Sequence, residues 1–255
     1  MEGIIVGKAA RPPRIIVYGQ EKIGKTTLAA AADAPIFIQT EDGADEVGAA
    51  RFPLAKSLAD VAAQIKRLTT EKHDFATVVI DSLDWLENLV HQRVAADAAV
   101  PNIEGIGYGK GYVAAEQVWR KVLASLDELR DAGMAVVLLA HSEIKRYDDP
   151  STEPYDRYQL ALHKGASALV TEWCDALLFA CLDTRVQKAD AGFNKEVRRG
   201  VTSGKRVLRC QGAPAYVAGN RYGLPETLPL SWPALMDAFA ARMASTEETD
   251  KKAAE

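Results

Sequence analysis

Eight residues, Gly19-Gln20-Glu21-Lys22-Ile23-Gly24-Lys25-Thr26, place two glycines, an amine and a hydroxyl at the G-x-x-x-x-G-K-[ST] spacing. The glycines let the backbone curl until successive N–H groups point into one concavity, and a following helix adds its positive end to that anion site. Lys25 then reaches the β- and γ-phosphates of a nucleoside triphosphate, and the Thr26 hydroxyl ligates Mg²⁺. The flanks fit this reading. Ile15-Ile16-Val17-Tyr18 precedes the loop as an apolar strand, and Thr27-Leu28-Ala29-Ala30-Ala31-Ala32 follows it as a helical run. Gly19 to Thr27 is therefore expected to bind ATP with Mg²⁺, against the alternative of a chance Gly-Lys-Thr turn.

A phosphate loop alone does not separate a hydrolase from a kinase or a switch. Further acids at strand ends must hold the metal and activate a nucleophile. Asp81 closes the β-branched run Thr77-Val78-Val79-Ile80, where it can bind Mg²⁺ directly or through a water that Ser82 helps to order. The alternative is a strand-end aspartate capping the next helix. Glu41 follows the run Ile36-Phe37-Ile38-Gln39, which is expected to neighbour the phosphate-loop strand. A carboxylate there polarises the water that attacks the γ-phosphate in line. Asp42, Asp45 and Glu46 crowd the same turn. His141 ends the apolar run Met134–Ala140. It can sense ATP against ADP and pass that state on, or be a hydrogen-bonded structural residue. His73 and His91 read as surface or helix residues with no metal role.

These residues need a scaffold that brings strand ends together. Strand and helix signals alternate along the chain, which predicts an α/β fold with a mostly parallel sheet. Pro35–Gln39 reads as a strand, Ser57-Leu58-Ala59-Asp60 as a capping box opening a helix to about Thr70, and Ser82 to about Ala99 as a helix stopped by Pro101. Asn102 to Gly111, with four glycines, is expected to be a mobile loop. A long helix from about Tyr112 to Ala132 is closed by Gly133. The polar stretch Ser142 to His163 reads as a long loop, Asp175 to Cys181 as a central strand, and Thr184 to Lys188 as an edge segment. Arg206 to Gln211 reads as a late strand, and Ser231-Trp232-Pro233 as the cap of a final helix.

Composition sets the bounds. The 255 residues are 48% apolar and 26% charged, enough for one sizeable core, and a net charge of −4 excludes a global basic field for nucleic acid. Cys174, Cys181 and Cys210 are an odd set without C-x-x-C spacing and read as reduced residues of a cytoplasmic protein. No run approaches the ~18–20 apolar residues of a membrane span. The expected organisation is an N-terminal segment 1–13, a core 14–244 and a frayed charged tail 245–255.

In order, these segments resemble the RecA-type recombinase core. Phe37-Ile38-Gln39-Thr40-Glu41 is similar to that family's strand carrying its catalytic glutamate, and Val79-Ile80-Asp81-Ser82 to its Walker B segment. Ile103-Glu104-Gly105 to Gly109 with the helix after it resembles the first DNA-binding loop, and Ser142–His163 with Lys164-Gly165-Ala166 resembles the second. Val217-Ala218-Gly219-Asn220-Arg221-Tyr222-Gly223 resembles a hairpin whose lysines reach a neighbouring protomer's ATP. Here Gly219 replaces the first lysine and only Arg221 supplies a cation. The run from Gly219 to Leu230 is similar to phage-encoded single-domain ATP-binding proteins of this type, some of which anneal single-stranded DNA.

The resemblance covers about residues 14–235 and lacks the N- and C-terminal domains of full recombinases. It implies a RecA-like P-loop NTPase core and DNA-stimulated ATP hydrolysis. It further implies annealing or strand exchange, and partners that include single-stranded DNA, further copies of the chain in a filament or ring, and a single-strand-binding protein. The segment Gly3-Ile4-Ile5-Val6-Gly7 could add a strand to a neighbour.

The residues of the two loops have the chemistry a single strand wants. Tyr108, Lys110 and Tyr112 lie among glycines; Lys145, Arg146, Tyr147, Tyr155, Arg157, Tyr158 and Lys164 follow in the second stretch. Cations track phosphates, and aromatic faces stack on bases. Glu143, Asp148, Asp149, Glu153 and Asp156 in the same stretch oppose this, so solvated loops remain the alternative. Lys195, Arg198, Arg199, Lys205, Arg206 and Arg209 form a second basic stretch, read as a guide for a second strand or as a solvated face. Two rivals stand beside the recombinase reading: a nucleotide-gated adaptor with little turnover, and a small-molecule kinase, which would need more lid arginines than Arg146 and Arg157.

Overall fold

The computed structural model describes residues 11–43, 46–190 and 196–241, with the backbone alone for 185–190 and 196–202. The segments 1–10 and 242–255, with the candidate inter-protomer strand and the charged tail, lie outside the described residues.

Five parallel strands form the centre: β1 (Arg14–Gly19), β2 (Pro35–Gln39), β4 (Thr77–Asp81), β5 (Ala135–Tyr147) and β7 (Ala176–Asp190). A two-residue strand β3 (Ala50–Arg51) borders β2, and β6 (Tyr155–Leu160) pairs with the far half of β5. On the other side come β8 (Glu196–Arg209), β9 (Gly219–Asn220) and β10 (Thr227–Pro229), all antiparallel to their neighbours. The order is β10-β8-β7-β1-β5-β4-β2-β3. The strand carrying Glu41's turn is therefore not adjacent to β1: β4 and β5 stand between them. In this order the helical crossovers that follow β2 and β4 carry the chain back toward the centre.

Alternation along these strands feeds two cores. Ile16, Tyr18, Ile36, Ile38, Val78, Ile80, Val136 and Leu138 face one side, where α2 (Leu58–Thr70), α3 (Leu83–Asp97), α4 (Lys110–Asp131) and α5 (Lys164–Trp173) pack. Ile15, Val17, Phe37, Val79, Val137 and Leu139 face the other, under α1 (Lys25–Ala30) and a helix α6 spanning 232–241. Burial on both faces explains why the inner strands read as continuous apolar runs. Ser57 starts α2 as expected, its hydroxyl accepting the Asp60 N–H at 3.2 Å.

Three segments differ from the sequence reading. Ser142 to His163 is mostly a β-hairpin, because Ser142–Tyr147 pairs antiparallel with Tyr155–Leu160 and the prolines mark only its turn. The Asn102–Gly111 segment contains a 3₁₀ turn, Ile103–Ile106, anchored by buried Ile103. The edge segment is the outer continuation of the central strand β7, and the late strand is the inner end of β8, which pairs antiparallel with β7 along its length.

At the N-terminal edge of the sheet, buried Asp175 gathers three arginines. It accepts from Arg14 and Arg130 at 2.9 Å each and lies 3.5 Å from Arg221. Desolvation raises this carboxyl, but the hydrogen bonds and charge of Arg14, with Arg130, outweigh it and hold the group below the usual carboxylate range. Asp175→Ala leaves these guanidinium groups facing one another, and urea titration is expected to show a loss of about 3–5 kcal/mol. Because the folded-state value is depressed, this contribution is present above the ordinary carboxylate pKa and fades as pH falls through the folded value. The variant will lack that part of the acid limb.

Candidate nucleotide site

Parallel register brings the loop and its partners to one edge. Gly19 ends β1 level with His141 on β5 and Ala180 on β7. A β-carbon at Gly19 would sit 2.2 Å from the Ala180 carbonyl oxygen, so only glycine lets the strand close up before turning. Gly24 adopts φ +109°, which L side chains rarely take, and α1 begins at the next residue.

Lys25 is buried at 6% exposure, and its ammonium donates to the carbonyls of Gly19 at 3.0 Å and Gln20 at 2.9 Å. Desolvation lowers its pKa, opposed chiefly by Asp81. A buried cation whose hydrogen bonds among the described residues go to neutral carbonyls of a curled loop is in a setting that a phosphate group completes. The Thr26 hydroxyl donates to Asp81 Oδ2 at 2.8 Å, so the hydroxyl and carboxylate suited to a divalent ion already converge. Burial raises the Asp81 carboxyl, opposed by Thr26 and Lys25. Gln20, Glu21 and Lys22 are exposed, Ile23 packs inward, and Thr27 is exposed on α1.

Glu41 reaches this group across the sheet order because its turn is tied to the end of β4. The N–H groups of Thr40 and Glu41 both donate to the Asp81 carbonyl, at 2.8 and 3.2 Å. The Thr40 hydroxyl accepts the Ser82 N–H at 2.9 Å and donates to its carbonyl at 2.7 Å. The Ser82 hydroxyl donates to Glu41 Oε2 at 3.2 Å, and desolvation raises the Glu41 carboxyl. The peptide between Asp81 and Ser82 is cis.

Sequence reasoning missed Asp84. Sitting in the first turn of α3, it accepts the His141 N–H at 3.0 Å and contacts Nδ1 at 2.9 Å. The signal was an acid three residues after Asp81, at a helix start that favours acids. Ligand atoms of Glu41, Asp84 and His141 lie within 4.8 Å of one another. One turn on, buried Glu87 accepts the His163 N–H at 2.9 Å, and burial pushes its carboxyl up to about 7.

The candidate DNA residues fall into two groups. Tyr108 is fully exposed, Lys110 opens α4 and Lys164 opens α5. Tyr112 stacks on His163 at 4.0 Å with planes 9° apart and hydrogen-bonds Glu104, so it links the two helix starts. On the hairpin, Lys145 lies opposite Arg157 and Tyr147 opposite Tyr155, giving one face of the ribbon two cations and two aromatics. Arg157 stands 3.6 Å over the Tyr147 ring. Lys145 pairs with Glu143 at 2.6 Å, and Arg146 lies 3.7 Å from Asp148. Tyr158 belongs to the opposite face and stacks on Phe179 at 5.1 Å. Arg221 lies at the far edge of the sheet, five β7 residues, or roughly 16 Å, from the level of Gly19.

A family model described as "AAA domain" matches residues 11–222. The chain belongs to the AAA domain family. Its mixed α/β sheet is mostly parallel at the centre and carries the phosphate loop on a central strand. The chain is 25% identical over 146 residues to the SPbeta prophage-derived uncharacterized protein YorG of Bacillus subtilis (strain 168). That match takes in 54% of this AAA chain and 43% of YorG, less than half its length. The crystal structure of the RadB recombinase is similar at a TM-score of 0.46 with 17% identity, over 88% of this chain and 90% of that one. No helix among the described residues is long and apolar enough to cross a membrane.

His141 carries the prediction of this site. The Asp84 carboxylate raises its pKa above the ordinary histidine value, against desolvation. NMR titration of its ring proton is expected to show a midpoint above 6.5, falling on Asp84→Asn. The stabilisation from this pair is complete below the unfolded-state pKa and is lost as pH rises through the folded one.

Proposed function

We propose that this protein is an ATP-dependent single-stranded DNA-binding ATPase of the RecA-like type, acting in annealing or strand exchange. One observation carries the coupling: β5 runs without a break from the sheet centre through His141 to Lys145 and Tyr147. The residue beside the phosphate loop and the aromatic ribbon thus share one strand.

Lys25 and the loop N–H groups hold the β- and γ-phosphates, and Thr26 with Asp81 would hold Mg²⁺. When bound, Mg²⁺ neutralises charge developing on the phosphate oxygens. Glu41, oriented by Ser82, takes a proton from the attacking water, and its raised pKa suits a general base. His141, fixed by Asp84, reads the γ-phosphate position and transmits it along β5. The ribbon face of Lys145, Tyr147, Tyr155 and Arg157 engages phosphates and stacks on bases, while Tyr108, Lys110 and Lys164 contact the backbone. Tyr112 serves as the brace between the two segments. Arg221, distant from its own loop, acts on the ATP of a neighbouring copy in an oligomer.

ATP hydrolysis with and without single-stranded DNA tests this. Wild type is expected to be stimulated by DNA, and Lys25→Ala to lose binding and turnover. Glu41→Gln keeps ATP binding and loses about 10²–10⁴ in rate. Lys25-dependent hydrolysis indifferent to DNA would sink the DNA reading, and a Glu41→Gln protein with unchanged function would favour the adaptor. Tyr147→Ala is expected to weaken single-strand binding by about 1–3 kcal/mol, measured by fluorescence anisotropy.

A further inference from the structure

The second basic stretch contains a residue that the fold delivers to the phosphate loop. Leu208 on β8 is buried in the core beneath α1, and Arg206, two residues earlier, shares its face of the strand. Arg206 pairs with Leu182, two residues beyond the Ala180 level at which β1 ends. Its side chain therefore emerges just past the sheet edge, on the side of α1. A β-carbon placed on Gly24 would lie 3.2 Å from Arg206 Nη1 and 3.4 Å from Leu230 Cδ2. The backbone at this point is pinned, with the Leu230 N–H donating to the Arg206 carbonyl at 3.0 Å.

Most other arginines near the sheet are already engaged. Arg14 and Arg130 are held by Asp175, and Arg209 by Asp183 at 2.9 Å. No hydrogen bond or ion pair of the Arg206 guanidinium is found among the described residues. Its neighbour across the loop, Lys25, is bonded to carbonyls alone. Two cations thus flank Gly24, and a planar guanidinium suits phosphate oxygens by presenting a fork of donors.

We propose that Arg206 is a nucleotide-phosphate ligand supplied in cis by β8, on the Gly24 flank of the loop. The inference rests on the nucleotide reading of Lys25 and Thr26. It gives Arg206 a role in nucleotide affinity, where the sequence left its basic stretch open between a second-strand guide and a solvated face.

Binding of a fluorescent ATP analogue to the full chain, titrated at several salt concentrations, tests it. Arg206→Ala is expected to weaken binding roughly tenfold or more and to flatten the salt dependence, with Arg206→Lys recovering part of the loss. Melting curves check that each variant is folded. If Arg206→Ala binds within about twofold of wild type while Lys25→Ala has lost binding, the proposal fails and the nucleotide site stands. If Lys25→Ala also binds like wild type, the nucleotide reading itself fails, and this proposal with it.

Discussion

Parallel pairing of β1 with β5 and β7 is the constraint on which the site depends. Hydrogen-bond register leaves Gly19, His141 and Ala180 level, and side chains that leave the strands at that level must meet above one edge. The close approach of Gly19 to the Ala180 carbonyl permits this ending without a bulge. Below the edge, buried faces supply the hydrophobic stabilisation; above it, the polar groups of Lys25, Thr26, Asp81, Glu41 and His141 converge.

Charge is handled oppositely at the two ends. At the N-terminal edge, the buried Asp175 carboxylate is held charged by Arg14 and Arg130, with the more exposed Arg221 beside it. At the C-terminal edge, desolvation lowers Lys25 and raises Asp81 and Glu41, so each group is held in an environment that disfavours its charge. Such a site gains from an anion and a divalent cation entering together. Asp84 and His141 form a tight acid–imidazole pair beside it, and Glu87 ties the same helix to the start of α5 through His163. The first two turns of α3 are thus tied to both β5 and the start of α5.

The phosphate loop, Asp81 at its strand end and the alternation of strands and helices were legible in the sequence, because each is a local pattern: fixed spacing, a β-branched run, a capping serine. The hairpin of β5 and β6 was hidden by its polar residues. Its alternation separates Tyr147 and Arg157 from Tyr158, which only pairing register reveals. Asp84 went unread because acids are common in the first turn of a helix, and Arg206 was one member of a basic run.

What the amino-acid sequence determined by itself was the chemistry available and the class of fold, since both follow from residue type and short-range periodicity. Strand order was decided in three dimensions. It placed β4 and β5 between β1 and the strand before Glu41, yet the bonds from the Thr40 and Glu41 N–H groups to Asp81 restored that carboxylate to the site. It also sent Arg221 to the far edge and brought Arg206 to Gly24. These placements depend on contacts between residues up to about 180 positions apart, which no local pattern encodes.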